Sequence, residues 1–392
     1  MNLNRLHELY RTTLLDEVVP FWERHALDPT GAINNCIRDD GSLVSRDRWG
    51  WSQWRAVWVF SALYNRISPR PGWLRIARGV CDWLRSRGPL PGGHWPLLMD
   101  EHGSVRRGYE CIFTDAFAIY GLVELWRATQ DDHLLNLALD TFRAAQAALQ
   151  EPVLPPMAVY PPAPSPSARA HGLSMMYSLV AHELAQATGA AEVRAAADHH
   201  HRLVMDTFLR VDRGLLLEWI DDQGNELPAP GGTAVLPGHA IESFWFQIHI
   251  ARDKQDRRTI DRALQAIRRH LEIGWDEEFG GVFYAVDAER RPEVGWPFAE
   301  YKLWWVHSEI LYATLLAHEL CGEPWCLDWH ERIRQYAFAH YPVPGHGEWT
   351  QRLDRQGRPV ETVVALPVKD PFHLPRALIY CLEALERLGA AG

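Results

Sequence analysis

The sequence predicts an all-α protein with an (α/α)6-barrel fold, in which six helical hairpins close into a ring and short β-hairpins cover one end. Apolar residues recur with helical spacing in about twelve segments, and the connections between these segments are alternately short and long. Paired helices at a regular interval close most simply into an inner ring wrapped by an outer ring. An open superhelix of stacked pairs competes with this fold, but its loops would not converge on a pocket. We therefore expect one domain over residues 1–392.

The predicted helices follow one another along the whole chain. They cover approximately residues 3–24, 47–66, 73–86, 112–129, 132–149, 171–188, 190–208, 239–254, 258–273, 302–321, 324–340 and 370–388. Short connections, such as SPRPGW after residue 67, fit tight helix–helix turns. Every long connection then lies at the opposite end, where the even-numbered helices begin. These helices are predicted to form the inner ring, with their first turns around one cavity.

The long connections share a turn pattern in which an Asp precedes a Gly by two or three residues. It appears in IRDDGSL from residue 37, LMDEHGSV from 98, WIDDQGNEL from 219 and RLDRQGRPV from 352, and more loosely in AVDAERRPE from 285. Because glycine accepts a positive φ, each stretch is predicted to form a small β-hairpin. The remaining long connection, PVLPPMAVYPPAPSPS from residue 152, is too rich in proline to pair as strands.

Composition limits the function classes. Hydrophobic residues make up 47% of the chain and charged residues 23%, which is typical of a soluble protein with a large core. A formal net charge of -10 argues against binding to nucleic acids or anionic membranes. The 18 tryptophans suit stacking against sugar rings, although a Trp-rich helical core explains them equally well.

Other sequence features predict a cytoplasmic protein. The first 25 residues form an amphipathic pattern without a signal peptide or membrane span. The cysteines are mostly scattered, and the gap between Cys321 and Cys326 lacks a second pair for a zinc site. We therefore expect reduced core thiols. The stretch 198–201, DHHH, is predicted to be a solvated surface patch, since consecutive helical residues point to different sides.

The stretch LPGHAIESFWFQIH at residues 236–249 is the first candidate for a functional site. It predicts the start of the eighth helix, with His239 and Glu242 on one face of the first turn. A histidine oriented by a carboxylate is a common proton-transfer group near neutral pH. An ordinary helix start with an N-terminal glutamate is the alternative.

Two other inner helices carry polar groups among apolar neighbours. In the second helix, Trp51, Arg55 and Trp58 form an aromatic stripe around an arginine. A buried guanidinium there needs an anion, either a protein carboxylate or a substrate oxygen that gains charge during reaction. In the tenth helix, Lys302, Trp305 and Glu309 share a face, from which His307 points away. We expect Glu309 to be paired in the core or functional.

The starts of the twelfth and sixth helices complete the predicted site. His373 lies in the first turn of the twelfth helix between two prolines, at the same predicted end as His239, and is a second acid–base candidate. His171 and Met176, at the start of the sixth helix, are predicted to line the pocket. Two histidines, an arginine and two glutamates on inner-helix starts favour a proton-transfer site.

These residues also belong to motifs that resemble the N-acylglucosamine 2-epimerase family over nearly the whole chain. The motifs are VVPFWERHALDP, WSQWRAVWVFSALYN, PGHAIESFWF, WDEEFGGVFYAVDA, KLWWVHSEILYA and FHLPRA. The resemblance implies an (α/α)6 barrel that interconverts N-acetylglucosamine and N-acetylmannosamine by inversion at C2. Its essential residues match Arg55, His239, Glu242, Glu309 and His373.

The resemblance and the chemistry together predict roles. His239 and His373 would exchange the C2 proton on opposite faces of an enediolate, Arg55 would stabilise its oxygen, and Glu242 and Glu309 would orient the histidines. We expect Trp51, Lys302, Trp305, Met176 and His171 to contact the sugar. No metal or redox cofactor is predicted. ATP is a non-consumed activator in the family, but this chain has no Gly-rich phosphate loop of its own.

Several alternatives remain open at this stage. A free-sugar 2-epimerase or mannose isomerase is one, because PSPSARAHGLSMM departs from the family pattern before the sixth helix. A glycoside-cleaving enzyme would need two carboxylates flanking the bond, and a carbohydrate-binding protein would not need two histidines. The family also suggests a homodimer.

Overall fold

The computed structural model describes residues 2–151, 154–155, 163–165, 167–362 and 367–389. Twelve continuous helical stretches occur in this part of the chain, three of which include a wider π-type segment. They are α1 (3–25), α2 (50–67), α3 (Pro71–Arg85), α4 (Ile112–Thr129), α5 (Asp132–Leu149), α6 (His171–Thr188), α7 (191–208), α8 (Pro237–Asp253), α9 (Arg257–Gly274), α10 (Trp304–Cys321), α11 (Pro324–His340) and α12 (His373–Arg387). The predicted helices are confirmed, with boundaries that differ by a few residues.

The even-numbered helices form a closed inner ring. Helices α2, α4, α6, α8, α10 and α12 each pack against the next, and α12 packs against α2. The outer helices α3, α5, α7, α9 and α11 each pack against the inner helix that precedes them, whereas α1 packs against α12. This is the predicted (α/α)6 barrel. The inner helices are apolar on nearly all sides because they are buried between the outer ring and the barrel axis.

Short strands fix the entries of the inner helices. The strands are β1 (Cys36–Ile37), β2 (Leu43–Ser45), β3 (Arg48–Trp49), β4 (Leu98–Met99), β5 (Val105–Arg107), β6 (Arg169–Ala170), β7 (Leu209–Arg210), β8 (Leu215–Leu216), β9 (Trp219–Ile220), β10 (Ala234–Val235), β11 (Val286–Asp287), β12 (Lys302–Leu303) and β13 (Arg352–Leu353). Strands β3, β6, β10 and β12 each lead into an inner helix and pair antiparallel with a strand of the following long connection. Adjacent loops are thereby joined around the open end of the barrel.

The predicted β-hairpins are only partly confirmed. Hairpins form around the Asp–Gly turns of the first two stretches, where β1 pairs with β2 and β4 with β5. The turns at Asp221 and Asp354 are also present, since each carbonyl accepts from the glycine three residues later at 3.1 and 3.0 Å. Their strands β9 and β13, however, pair with β6 and β12, and the local return after Asp354 is limited to a single bridge between Leu353 and Pro359. The proline-rich connection lies largely outside the described residues.

Five ion pairs and one histidine–aspartate contact join the inner helices at the end of the barrel where they terminate. Each of the six neighbouring pairs of inner helices is bridged there. The bridges are Arg66–Glu124, Arg127–Glu183, His182–Asp253, Arg252–Glu319, Arg387–Glu319 and Arg66–Glu383. Glu124 is buried, and although burial opposes its charge, Arg66 and Arg127 hold its pKa at about 2. These bridges therefore hold the inner helices together at this end of the barrel, and the opposite end remains available for a functional site.

The histidine run on α7 was predicted to be a solvated patch, and this prediction is wrong for two of its members. His199 is exposed, whereas His200 and His201 are 7% and 8% exposed. They lie on the side of α7 that packs against the inner ring, where the Nδ1 atom of His201 lies 2.7 Å from Gln247 Oε1. Burial lowers the pKa of His200 to about 4.

Candidate active site

His239 is placed by the close approach of α8 to α10. A Cβ atom on Gly238 would lie 2.6 Å from Val306 Cγ2 and 3.0 Å from the Trp305 ring, so this contact requires glycine. The next residue, His239, consequently lies beside Trp305, with ring centroids 5.2 Å apart. Its side chain is 29% exposed, which leaves part of the imidazole accessible at the open end.

The carboxylate that contacts His239 is Glu218, which the sequence analysis missed. Glu218 Oε2 lies 3.3 Å from His239 Nδ1. The glutamate precedes β9 and is held by its backbone, since its N–H donates to Ala234 and its carbonyl accepts from the N–H of His171. Burial disfavours the charged form of both partners, but the attraction between the two charges is the larger effect. The pKa of Glu218 therefore falls to about 2, and the pKa of His239 rises.

His373 lies beside the same tryptophan. The ring centroids of His373 and Trp305 are 5.4 Å apart, and His373 Nδ1 lies 2.8 Å from Glu309 Oε1. Burial lowers the pKa of His373 to about 3, and Arg55 and Arg376 reinforce this effect. The two predicted histidines thus both lie beside Trp305, and their pKa values are shifted in opposite directions.

A buried arginine links the two predicted glutamates. Arg376 Nη2 donates to Glu309 Oε1 at 2.6 Å and also to Glu242 Oε1. All three side chains are at most 4% exposed. Burial raises the pKa of Glu309 in spite of Arg376. Glu242 was predicted, with Glu309, to orient the histidines and hold hydroxyls, but its side-chain hydrogen bond is to Arg376.

Arg55 lies at the mouth of the inner ring, as predicted. Its Nη1 atom donates to Asp370 Oδ2 at 3.0 Å, and its guanidinium lies 4.1 Å from the Phe117 ring centroid and 4.8 Å from that of Phe372. Its side chain is 15% exposed. The anionic partner is therefore an aspartate from the loop before α12, and part of the guanidinium remains accessible.

Of the predicted substrate contacts other than Trp305, Trp51 is partly buried, with its ring centroid 5.5 Å from the Arg55 guanidinium. His171 is fully buried, with Nε2 3.0 Å from Ser243 Oγ and Nδ1 3.6 Å from Glu218 Oε2. Met176 is 4% exposed within the core. Contact of these residues with a sugar stays a prediction.

Lys302 does not fit the predicted role in substrate binding. It belongs to β12 and precedes α10, so it does not share the helical face of Trp305. Its side chain is 0% exposed, and Nζ donates to Asp276 at 3.1 Å as well as to the carbonyls of Gly280 and Arg355. These three acceptors use all three N–H donors of the ammonium. Lys302 therefore ties loops together beneath the site.

Three residues of this site could together approach a metal ion. Glu242, Glu309 and His373 each place one ligand atom within 4.8 Å of the others. Arg376, however, already donates to both carboxylates, and burial raises the pKa of Glu309, which favours its neutral form. The geometry therefore fits a guanidinium between these groups, and the absence of a metal stays a prediction.

Taken together, the fold and the site define a barrel enzyme equipped for acid–base chemistry, with two histidines held by buried glutamates at its open end. The chain belongs to the N-acylglucosamine 2-epimerase (GlcNAc 2-epimerase) family, whose model matches residues 31–377. It is 29% identical to the N-acylglucosamine 2-epimerase of Bos taurus over 394 residues, which cover 95% of this chain and 90% of that protein. The predicted family is confirmed.

Solved structures share the fold. Cellobiose 2-epimerase from Bacillus thermoamylovorans B4167 superposes with a TM-score of 0.83 at 18% identity, covering 98% of this chain and 100% of that one. A D-mannose isomerase superposes with a TM-score of 0.79 at 15% identity, covering 97% of each chain. No helix in the described part of the chain has the length and apolar character needed to cross a membrane.

Proposed function

We propose that the protein is a sugar 2-epimerase that interconverts N-acetyl-D-glucosamine and N-acetyl-D-mannosamine. Family membership supports the reaction and the acylated substrate. The observation that carries the proposal is that His239 and His373 both lie beside Trp305, with ring centroids 5.2 and 5.4 Å from it, each with Nδ1 next to a buried glutamate. Both histidines therefore have Nε2 left for the substrate.

The proposed reaction begins with opening of the sugar ring, because the C2 hydrogen is acidic only beside a free carbonyl. Neutral His373 removes the C2 proton through Nε2. The electrons of the C–H bond form a C1–C2 double bond while the π electrons of the carbonyl move to its oxygen, which gives an enolate (an enediolate for a free sugar). His239, which rests as an imidazolium, returns a proton to the opposite face. The reverse reaction uses the same groups with their protonation exchanged.

The remaining groups would prepare the site for this transfer. The accessible part of the Arg55 guanidinium is placed to stabilise the enediolate oxygen, while Glu309 and Glu218 hold the two imidazoles. The scheme requires no cofactor, and ATP would act, if at all, as an activator that is not consumed.

Proton NMR in heavy water tests the proposal. N-acetylmannosamine should be converted to N-acetylglucosamine with deuterium at C2, and the measurement is repeated with ATP to detect activation. Conversion of mannose or glucose alone would keep the chemistry and move the substrate to free sugars, and fructose as product would indicate an isomerase. If no sugar exchanges its C2 hydrogen, the epimerase proposal fails and a binding function replaces it.

We further propose that the protein is a cytoplasmic homodimer. The family supports the dimer, and six free cysteines support a reducing compartment. Light scattering after size-exclusion chromatography should give twice the chain mass of 44.9 kDa. A single-chain mass across the concentration range would contradict it.

A further inference from the structure

Glu218 has an unusual environment for a buried acid. It is 5% exposed, and in the described part of the chain its carboxylate has neither an arginine nor a lysine within ion-pair distance. Its charged neighbours are His239, at 3.3 Å, and His171, at 3.6 Å, both measured from Oε2 to Nδ1. A buried carboxylate without a cation is costly. One of these two histidines must therefore compensate it.

The surroundings favour His239 as the compensating cation. His171 is fully buried, and burial lowers its pKa, so it rests as a neutral imidazole. Burial acts against the charge of His239 too, but Glu218 and then Glu242 raise its pKa overall. Glu242 is itself paired with Arg376. Among the groups that face His239 from α6, α8 and the loop before β9, Glu218 is therefore the carboxylate whose negative charge is not already paired with an arginine.

We propose that Glu218 is a positioning residue for the proposed epimerisation: it binds Nδ1–H of His239 and so makes Nε2–H the donor that protonates C2. The glutamate does not touch the substrate in this scheme and acts through His239. Its backbone hydrogen bonds to Ala234 and His171, at 3.1 and 3.0 Å, connect the entries of α6 and α8 and fix the carboxylate before substrate arrives. This inference rests on the proposed function.

The inference predicts a specific change in pH dependence. Loss of the His239 proton should set the basic limb of the pH–rate profile, in both reaction directions alike. In Glu218→Gln the basic limb should move to lower pH by about 1–3 units, the shift typical of a lost opposite charge. Turnover should fall while KM changes little. Glu218→Asp keeps the negative charge on a shorter side chain. This variant should leave the basic limb at its wild-type pH while turnover is reduced.

Ser243→Ala provides a matched control. It removes the hydrogen bond to His171 Nε2 but leaves the Glu218–His239 contact, so the basic limb should not move. A second measurement needs no activity: the imidazole signals of His239 are titrated by NMR in wild-type protein and in Glu218→Gln, with circular dichroism confirming the fold.

The outcomes separate this inference from the epimerase proposal. If wild-type protein exchanges C2 hydrogen but Glu218→Gln leaves both the basic limb and the His239 titration unchanged, the role of Glu218 is overturned and the epimerase stands. If wild-type protein exchanges no sugar, the epimerase fails. The NMR titration then still tests the link between Glu218 and His239.

Discussion

His373 Nδ1 lies 2.8 Å from Glu309 Oε1; the glutamate is buried, and 12% of the histidine side chain is exposed. Burial lowers the pKa of this histidine to about 3 and raises that of the glutamate, so the charged form of each is disfavoured. The His239–Glu218 pair behaves oppositely, because there the two ions stabilise each other. The pKa values of the two histidines are thus shifted in opposite directions, as suits a base and an acid.

Single histidine variants should separate exchange from interconversion. In His239→Asn, His373 can still remove and return a proton on its own face, so one epimer should exchange C2 hydrogen with solvent without being inverted. His373→Asn should show the same for the other epimer. Interconversion should fall about 100- to 10,000-fold in each variant. Proton NMR in heavy water, started from each epimer, measures both rates.

The pattern of exchange also assigns a histidine to each face of the sugar. Variants with wild-type circular dichroism and melting temperature provide the control for folding. The two-histidine scheme would be excluded if either variant interconverted the epimers at a near-normal rate.

The architecture could be predicted from sequence because its signals are local. Helical periodicity and loop length are properties of short stretches, and they placed His239 and His373 at the same end. The partners of these histidines are harder to predict from the sequence. Glu218 lies in a loop ahead of β9, 21 residues from His239, and no spacing rule joins a strand residue to a helix start. A glutamate within an apolar run, LLLEWI, was the available signal.

Contacts between distant elements explain the remaining differences. Arg376 follows His373 in FHLPRA, but its ion pairs reach residues 67 and 134 positions away. Lys302 was assigned to the face of Trp305 on helical spacing, and that spacing did not apply because α10 begins two residues later. Consecutive residues of α7 do point to different sides of the helix, but His200 lies on the side that packs against the inner ring.

Removing Arg376 should destabilise the barrel. Arg376→Met would leave Glu242 and Glu309 buried without their shared cation, which typically costs about 3–5 kcal/mol of unfolding free energy. Urea unfolding at neutral pH measures the loss. The double variant Arg376→Met, Glu242→Gln should recover part of it, since one of the unpaired carboxylates is then neutral. Equal stability of wild type and single variant would show that the triad is not coupled as described.

Lys302→Met distinguishes a structural lysine from a substrate contact. The variant leaves Asp276 with Arg355 as its remaining cation and two loop carbonyls without their donor. The free energy of unfolding should fall, whereas KM for the sugar should stay within about twofold, because the buried ammonium already uses its three donors within the protein. Steady-state kinetics and urea unfolding on the same preparation measure both. A large rise in KM with unchanged stability would restore the substrate-binding role.

Glu124, at the closed end of the barrel, should make stability depend on pH. Its folded pKa of about 2 lies below the ordinary 4.5, so its contribution is fully present above pH 4.5 and is lost as pH falls towards 2. Glu124→Gln should therefore lower the free energy of unfolding by about 3 kcal/mol at pH 7, with a difference that shrinks below pH 4.5. Glu192→Gln, which removes an exposed partner of Arg143, is the matched control and should change little at any pH. Urea unfolding between pH 7 and 3 measures both variants, and a pH-independent difference for Glu124→Gln would mean that packing, not charge, accounts for the loss.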